Sequence, residues 1–345
     1  MINLRKFAYS EDEVINCINF MKNSDVIFSG TLSGEDFKKF NFKQSKITYK
    51  KNNLITFINL EISIKENDIV YCHLDYIEIL FKLLNKLDLK NIKIITTQSD
   101  RKITKKIFGQ KPKCISSWYS INVDYKHTQL VPIPLGIASY RNTKSVIFED
   151  FNNIKPVNKI SKSIYVNFNV NTNYFHRLKA RRSAINNLGQ DIVENVDYDS
   201  YLVNLQSSMY CLAPWGNGLD THRFWESLYS GTVPVTMTHT TYESFSDLPV
   251  MLVNSYDEIN NIQQHVDFYG KNIEKLNINW WINEMKNSVI ENSSLTRLRY
   301  TRFQIKFIDY YLFKLKIKDK LTKKIYTFLR KIHSKLNKVS GSYNF

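Results

Sequence analysis

Cysteine is scarce in this chain of 345 residues, and its apolar runs are short. The cysteines lack metal-binding spacing, so we expect free thiols in a reducing compartment. They are Cys17, Cys72, Cys114 and Cys211. No segment approaches the ~18 apolar residues that cross a bilayer, and the N-terminus turns acidic at Glu11 without the apolar core of a secretory signal. These absences predict a cytoplasmic protein, free or peripheral on the inner face of the membrane.

The chain is long and rich in aromatic residues. Tyr and Phe occur 21 times each, and aromatic residues make up 14% of the sequence, which is typical of a packed protein rather than a disordered one. A length of 345 residues suits two domains, each with its own core. The segment 151–162 is polar and aperiodic, which indicates a linker. We therefore expect an N-terminal domain over 1–155, a second domain over 156–292 and a basic helical tail over 293–345.

Short β-branched segments alternate with amphipathic ones along most of the chain. In the first half, the predicted strands are Asp25–Ser29, Asp68–His73, Ile92–Thr97 and Leu130–Pro134, with a helix over Tyr76–Leu87. In the second half, they are Ile164–Phe168, Met209–Ala213, Val233–Met237 and Val250–Val253, with helices over Tyr174–Leu188 and Thr221–Ser230. This alternation predicts an α/β fold with parallel sheets. Because ligands of such sheets lie beyond the carboxyl ends of strands, we expect the turns after Phe168, Ala213 and Met237 to line one crevice.

The most informative segment, 209–237, contains a strand, a glycine-rich turn, a short helix and a second strand. Asp220 is the predicted N-cap of the helix, which puts His222 and Arg223 in its first turn. The helix dipole already places positive charge at that end, so basic side chains there favour a bound anion. At 100° per residue, His222, Glu226 and Tyr229 share a face that we expect to contact ligand. The opposite face, toward the core, carries Thr221, Phe224, Trp225 and Leu228. A solvated His222–Glu226 surface pair is the alternative interpretation.

Three runs within this segment follow a known family pattern. They are Tyr210-Cys211-Leu212-Ala213-Pro214-Trp215-Gly216-Asn217-Gly218, His222-Arg223-Phe224-Trp225-Glu226-Ser227-Leu228 and Gly231-Thr232-Val233-Pro234-Val235. The pattern resembles the donor-binding segment of exostosin-like glycosyltransferases. Two flanking parts match more weakly, namely 131–137, and 166–169 together with 173–182. The resemblance implies a GT-B architecture, in which two Rossmann-like α/β domains flank a central cleft and the C-terminal half binds most of a nucleotide-sugar. Trp215 departs from the pattern, which commonly has arginine there, and we expect Trp215 to stack on a ring.

The resemblance and the charge pattern together predict the donor-binding residues. The expected contacts are Asn169, Trp215, Gly216, Asn217, Gly218, His222, Arg223 and Glu226. Arg223 is expected to stabilise the leaving diphosphate, and Glu226 to accept hydrogen bonds from ribose hydroxyls. Arg177 and Arg181 share one face of the predicted helix over Tyr174–Leu188, where a diphosphate between them would offset their repulsion. A solvated basic face is the alternative for these two arginines.

A general base for the acceptor hydroxyl is expected from the first half of the chain. Asp100 lies just beyond the predicted strand Ile92–Thr97, and Asp75 lies just beyond Asp68–His73. Either carboxylate could take the proton of an attacking sugar hydroxyl. The alternatives are that Asp75 caps the helix that follows it and that Asp100 begins the next helix.

One short motif is typical of a different class of glycosyltransferase. Asp197-Tyr198-Asp199 has the Asp-x-Asp spacing with which metal-dependent GT-A enzymes hold a divalent ion. Asp199 or Ser200 also fits the N-cap of a helix that runs through Gln206, and we favour capping. We therefore expect no metal and no cofactor besides the nucleotide-sugar substrate.

The net charge of +16 is concentrated near the C-terminus. Residues 297–338 contain fourteen Lys and Arg residues against Asp309 and Asp319, a net charge of +12. An apolar stripe at helical spacing runs through Ile317, Leu321, Ile325, Phe328, Leu329, Ile332 and Leu336. A basic amphipathic helix of this kind predicts peripheral association with an anionic membrane. The alternative is that the stripe packs on the protein body.

The sequence therefore predicts a glycosyltransferase that moves a hexose or pentose from a nucleoside-diphosphate-sugar to a hydroxyl of a glycan or lipid-linked glycan, in surface polysaccharide or glycoconjugate synthesis. A catalytically inactive sugar-nucleotide-binding protein is one alternative. A nucleic-acid-binding protein is the other, since the sequence pI is about 9.4. We expect no nucleic-acid partner, because the aromatic residues of the tail lie mostly on its apolar stripe rather than on a basic platform.

Overall fold

A computed structural model describes residues 9–141, 145–153, 164–193, 196–261, 273–286 and 295–340. The chain divides into two compact units, Met1–Arg297 and Leu298–Phe345. The predicted boundary between 155 and 156 and the predicted start of the tail at 293 lie outside the described residues. The division into 1–155, 156–292 and 293–345 therefore stays a prediction.

Helices and strands alternate along most of the described chain. The α-helices are α1 (Cys17–Lys22), α2 (Gly34–Phe40), α3 (Ile77–Leu84), α4 (Lys105–Phe108), α5 (Phe148–Asn153), α6 (Tyr174–Leu188), α7 (Tyr198–Ser207), α8 (His222–Tyr229), α9 (Thr240–Glu243), α10 (Ile278–Lys286) and α11 (Arg302–Ser340). The strands are β1 (Val26–Ile27), β2 (Ser29–Ser33), β3 (Ser45–Lys51), β4 (Leu54–Asn59), β5 (Glu61–Ile64), β6 (Ile69–His73), β7 (Ile92–Thr97), β8 (Ile115–Ser120), β9 (Leu130–Pro132), β10 (Ile164–Tyr165), β11 (Tyr210–Leu212), β12 (Val233–Met237), β13 (Met251–Val253) and β14 (Thr296–Arg299). Short 3-10 helices cover Leu74–Tyr76, Val170–Asn173, Tyr256–Asn261 and Glu274–Leu276.

The first parallel sheet has five strands in the order β1-β6-β7-β8-β9. Strands β6 and β7 are buried along their whole length, as expected for central strands covered on both faces. The predicted strand at 92–97 is confirmed at both ends, and those at 68–73 and 130–134 are confirmed within two residues. The predicted strand at 25–29 is wrong as one element, since it divides into β1 and the start of β2. Strand β8 was not predicted.

The second parallel sheet has four strands in the order β10-β11-β12-β13. Helix α6 and strand β12 begin and end where the sequence predicts, and β11, β13 and α8 do so within one residue at each end. Strand β10 is two residues long, against five predicted. Because the five-stranded and four-stranded sheets are both parallel, the predicted α/β class is confirmed.

An antiparallel sheet of order β2-β4-β3 completes the first part of the fold. Lys51 pairs with Leu54, which leaves a loop of Asn52 and Asn53, both with positive φ. This is the left-handed backbone of a two-residue hairpin turn, which asparagine tolerates well. The sequence analysis did not predict this hairpin.

The apolar core of the first unit is continuous between the two parallel sheets. One cluster of buried side chains includes Ile15, Tyr71, Ile133, Cys211, Trp225 and Trp281. Tyr229 ties it together, because its hydroxyl accepts a hydrogen bond from the Ile15 amide and donates to the Leu276 carbonyl, at 2.8 and 2.6 Å. The two sheets are therefore held against each other by a shared interior.

Candidate functional site

The loop between β11 and α8 contacts the turns that follow strands of the first sheet. The Asp220 amide donates to Oδ1 of Asn122, which follows β8, and Nδ2 of Asn122 donates to the Ser99 carbonyl, which follows β7, at 2.8 and 2.9 Å. Beyond β9, the Leu135 amide donates to the Asp220 carboxylate at 2.9 Å. The carboxyl ends of the two parallel sheets therefore meet, which is where open α/β sheets bind ligands.

Asp100 lies at this meeting point. Asn217, Gly218 and His222 lie close enough to its carboxylate to lower its pKa. Although Asp100 is exposed as a residue, burial of the carboxyl group raises its pKa, and the charge of nearby Asp75 raises it further. We call Asp75, Asp100, Asn217, Gly218 and His222 the Asp100 cluster. The structure thus brings together residues predicted for proton transfer and residues predicted for donor binding.

Asp75 is held in this cluster by Ser99. The Ser99 hydroxyl donates to the Asp75 carboxylate at 2.6 Å. The alternative in which Asp75 caps a helix is wrong, because the side chain of His73 caps the 3-10 turn and accepts the Asp75 amide at 3.3 Å. The Asp75 carboxylate is thus turned toward the chain segment that carries Asp100.

His222 has a defined arrangement of ring protons. Its Nδ1 lies 2.8 Å from the Gly136 carbonyl oxygen, which can only accept, so Nδ1 carries the hydrogen. In the neutral ring, Nε2 is then the acceptor. His222 can therefore accept a proton at Nε2, or donate from it once charged, beside Asp100.

Asp220 is not the N-cap of α8. The N-cap is Thr221, which makes no side-chain capping bond, and Asp220 is buried. Its carboxylate accepts from the Leu135 amide, the Thr221 amide and Nε1 of Trp225, at 2.8 to 2.9 Å. Burial raises the pKa of Asp220 to about 7, against the lowering effect of these three donors. Asp220 therefore joins the two sheets rather than leaving the amides of the loop open to an anion.

Helix α8 is buried along most of its length. Every residue from Phe224 to Tyr229 is buried, including Glu226, whose carboxylate accepts from the Tyr201 hydroxyl at 2.7 Å. Although burial lowers the pKa of Arg223, nearby charges that include that of Glu226 raise it above its usual value. The alternative of a solvated His222–Glu226 surface pair is wrong, because Glu226 is buried. The predicted contacts of His222 and Glu226 with a ligand stay a prediction.

Arg223 retains one unsatisfied donor. Its Nη2 donates to Oδ1 of Asn167 at 3.0 Å, and its guanidinium lies 5.6 Å from the ring centre of Tyr201. Among the residues that the structure describes, the buried Nε of Arg223 has no hydrogen-bond partner. An unmatched donor of this kind is costly in a protein interior and is satisfied when an anion or water binds.

Arg177 and Arg181 do not converge on one point. Arg177 is buried and donates to the carbonyls of Asn169, Pro214 and Trp215, at 2.8 to 3.3 Å. Arg181 forms an exposed two-point ion pair with Asp191. The predicted diphosphate clamp between the two arginines is therefore not formed. Arg177 instead fixes the turn that follows β10 to the turn that follows β11.

Trp215 stacks on a ring, but the ring belongs to the protein. Its indole lies parallel to the imidazole of His176 at 4.5 Å and edge-on to His239 at 5.1 Å. Nε2 of His239 lies 3.0 Å from the Asp124 carboxylate. The turns after β10, β11 and β12 therefore meet, as predicted. The sequence analysis missed His239, Asp124 and Asn122, which carry no local motif.

Acid should destabilise the protein through His176. Burial, helped by the charges of Arg177, Lys179 and Lys102, lowers the pKa of His176 to about 4. Between about pH 6.5 and pH 4, the unfolded chain binds a proton there that the folded protein does not, so the free energy of unfolding falls as pH falls. In His176→Phe, we expect the decrease in the free energy of unfolding between pH 7 and pH 4.5 to be smaller by about 1 to 2 kcal/mol. The effect is limited to this size because His176 is partly exposed.

Urea unfolding at pH 7 and pH 4.5 measures this effect. The control is His127→Gln, which alters an exposed histidine outside the stack. An equal acid loss in wild-type protein and His176→Phe would contradict the assignment.

Comparisons with known proteins identify no family for this chain. No protein-family profile matches the chain, and no curated protein sequence matches it. Across the described residues, no three His, Cys, Asp or Glu side chains are grouped as metal ligands, and no helix combines the length and apolarity that crossing a bilayer requires.

Asp197, from the Asp-x-Asp motif, is the N-cap of α7, where it accepts from the Ser200 amide at 2.8 Å, so the predicted caps at Asp199 or Ser200 are wrong.

Proposed function

We propose that this chain is a metal-independent glycosyltransferase of GT-B arrangement, which transfers a sugar from a nucleoside-diphosphate-sugar to a hydroxyl of a glycan or lipid-linked glycan. One observation carries the proposal. The Asp100 carboxylate lies against Asn217 and Gly218 and beside His222, where the carboxyl ends of the two parallel sheets meet. A carboxylate of raised pKa next to a helix N-terminus with basic side chains suits proton removal beside a bound diphosphate.

Five residues of the site have a role in the proposed reaction. Asp100 takes the proton of the acceptor hydroxyl, whose oxygen becomes bonded to the anomeric carbon as the nucleoside diphosphate is released. His222 and the unsatisfied Nε of Arg223 contact the diphosphate, and fixed positive groups there stabilise the charge that develops on the leaving group. Arg177 positions the surrounding turns, and Glu226 balances the charge of Arg223.

Arg223→Lys should lower turnover about tenfold or more, the equivalent of about 1.4 kcal/mol in the transition state. Lysine keeps a positive charge beside Glu226 but lacks the Nε–H and the planar fork of arginine. Release of nucleoside diphosphate is measured first for wild-type protein across a panel of nucleoside-diphosphate-sugars with glycan acceptors, and then for the variant with the best donor. Thermal unfolding confirms that the variant is folded.

Arg181→Ala is the matched control, because it removes an arginine that is paired with Asp191 at the surface. We expect its turnover to stay within about twofold of wild type, since an exposed ion pair contributes little. Equal losses in the two variants would contradict the assignment. Donor binding without release would identify an inactive sugar-nucleotide-binding protein, and binding of oligonucleotides instead of donors would identify a nucleic-acid-binding protein.

A further inference from the structure

Helix α11 carries a long apolar face. The helix has 39 residues, a length of about 60 Å. Its exposed large apolar side chains are Phe307, Tyr310, Phe313, Ile317, Leu321, Ile325, Phe328, Leu329 and Ile332. Of these, Phe313, Leu321 and Phe328 are 61%, 57% and 63% exposed. A contiguous apolar surface of this extent marks a site of interaction.

The exposed apolar residues and the basic residues are arranged together. At 100° per residue, the nine apolar positions fall within an arc of about 160°. Basic side chains lie within or beside this arc. Lys306, Lys320, Lys324 and Lys331 lie along one edge, and Lys314, Lys318 and Lys335 lie farther inside it. The acidic residues of the helix are limited to Asp309 and Asp319. The face is therefore both apolar and strongly cationic.

We propose that this face of α11 binds the surface of a lipid bilayer that contains anionic lipids. The helix would lie parallel to the bilayer, with its aromatic and aliphatic side chains at the boundary between headgroups and acyl chains. The lysines would contact anionic headgroups, each adding to the attraction. The proposal concerns a surface separate from the Asp100 cluster and does not depend on the proposed function.

The charge pattern argues against a second copy of the chain as the occupant. Residues 302–340 contain twelve Lys and Arg residues against Asp309 and Asp319, a net charge of +10. Two copies packed side by side would bring these like charges together along the helix. An anionic lipid surface, by contrast, complements every one of these charges.

Vesicle flotation of the full-length protein tests the proposal. We expect binding to vesicles of phosphatidylcholine mixed with phosphatidylglycerol, little binding to phosphatidylcholine alone, and weaker binding at high salt. Replacing Lys306, Lys320, Lys324 and Lys331 together by Gln should lower the partition coefficient at least about tenfold. A triple variant with Phe313, Leu321 and Phe328 each replaced by Ser should do the same. Circular dichroism of each variant verifies folding.

The matched control removes four exposed lysines elsewhere. Replacing Lys50, Lys86, Lys90 and Lys106 together by Gln changes the net charge equally and should leave vesicle binding unchanged within about twofold. Equal loss in this control, or equal binding to neutral vesicles, would overturn the proposal. A dimer in sedimentation analysis that the triple Ser variant dissociates, without vesicle binding, would assign the face to a second copy and overturn it as well.

Discussion

Gly136→Ala should lower the free energy of unfolding by about 3 kcal/mol or more, because two independent costs add there. Gly136 has φ +71°, a left-handed conformation that side chains other than that of glycine rarely adopt. A Cβ atom would also lie 1.9 Å from the Ile15 carbonyl oxygen, so backbone would have to move. That carbonyl accepts the Ile137 amide at 3.0 Å, and the Gly136 carbonyl accepts from His222. The substitution therefore also disturbs the Asp100 cluster.

Gly189→Ala is the matched control for this prediction. Gly189 ends α6 with a similar φ of +63°, yet nothing lies within 4 Å of its added Cβ. It should therefore show the conformational cost alone, about 1 kcal/mol. Urea unfolding of both variants separates the two costs. Equal losses would mean that the segment around Gly136 adjusts without strain, and that Ile15 does not constrain it.

Elements whose limits depend on their own residues were predictable. Strand β7 is an apolar, β-branched run that is buried throughout, and α6 ends at Gly189, which supplies the left-handed residue that stops a helix. The β3–β4 hairpin had a comparable local signal, because Asn52 and Asn53 separate two runs rich in β-branched residues. Asparagine tolerates the positive φ that such a two-residue turn requires, so this hairpin was predictable from local sequence.

The roles of the charged residues in the site were less predictable, since their partners come from distant parts of the chain. A sequence pattern suggests that Asp220 caps α8, but its carboxylate instead accepts a hydrogen bond from the Leu135 amide, 85 positions earlier. The basic pattern of α6 predicts a positive charge at Arg177. It does not predict that Arg177 donates hydrogen bonds to the carbonyls of Asn169 and Trp215. The position of Asp100 just beyond a parallel strand was predictable, because that position is a property of topology, which the sequence did indicate.

Asp100→Asn should lower turnover about a hundredfold or more while leaving the dissociation constant of the donor within about threefold. Asparagine keeps the shape of the side chain, but it cannot take a proton. Nucleoside diphosphate release is measured with saturating acceptor, and donor affinity is measured by calorimetry. The split between unchanged affinity and lost turnover separates a catalytic role from a structural one.

The pH profile gives this prediction a second readout. Burial and the charge of Asp75 both raise the pKa of Asp100, so wild-type turnover should fall as pH falls and the carboxylate becomes protonated. In Asp75→Asn, one of the two causes is gone, so the acid limb of the profile should move to lower pH while turnover at its plateau stays within about threefold. A merely structural role for Asp75 would not shift that limb.

The two variants together decide which carboxylate acts as the base. If Asp75→Asn loses turnover and Asp100→Asn does not, the roles are reversed. If Asp100→Asn retains full turnover with an unchanged acid limb, proton transfer belongs to another group, with Nε2 of His222 next in position because its Nδ1 is bound to Gly136. If Asp100 is the base, the acid limb of the pH profile disappears in Asp100→Asn, because the group whose protonation defines that limb is absent.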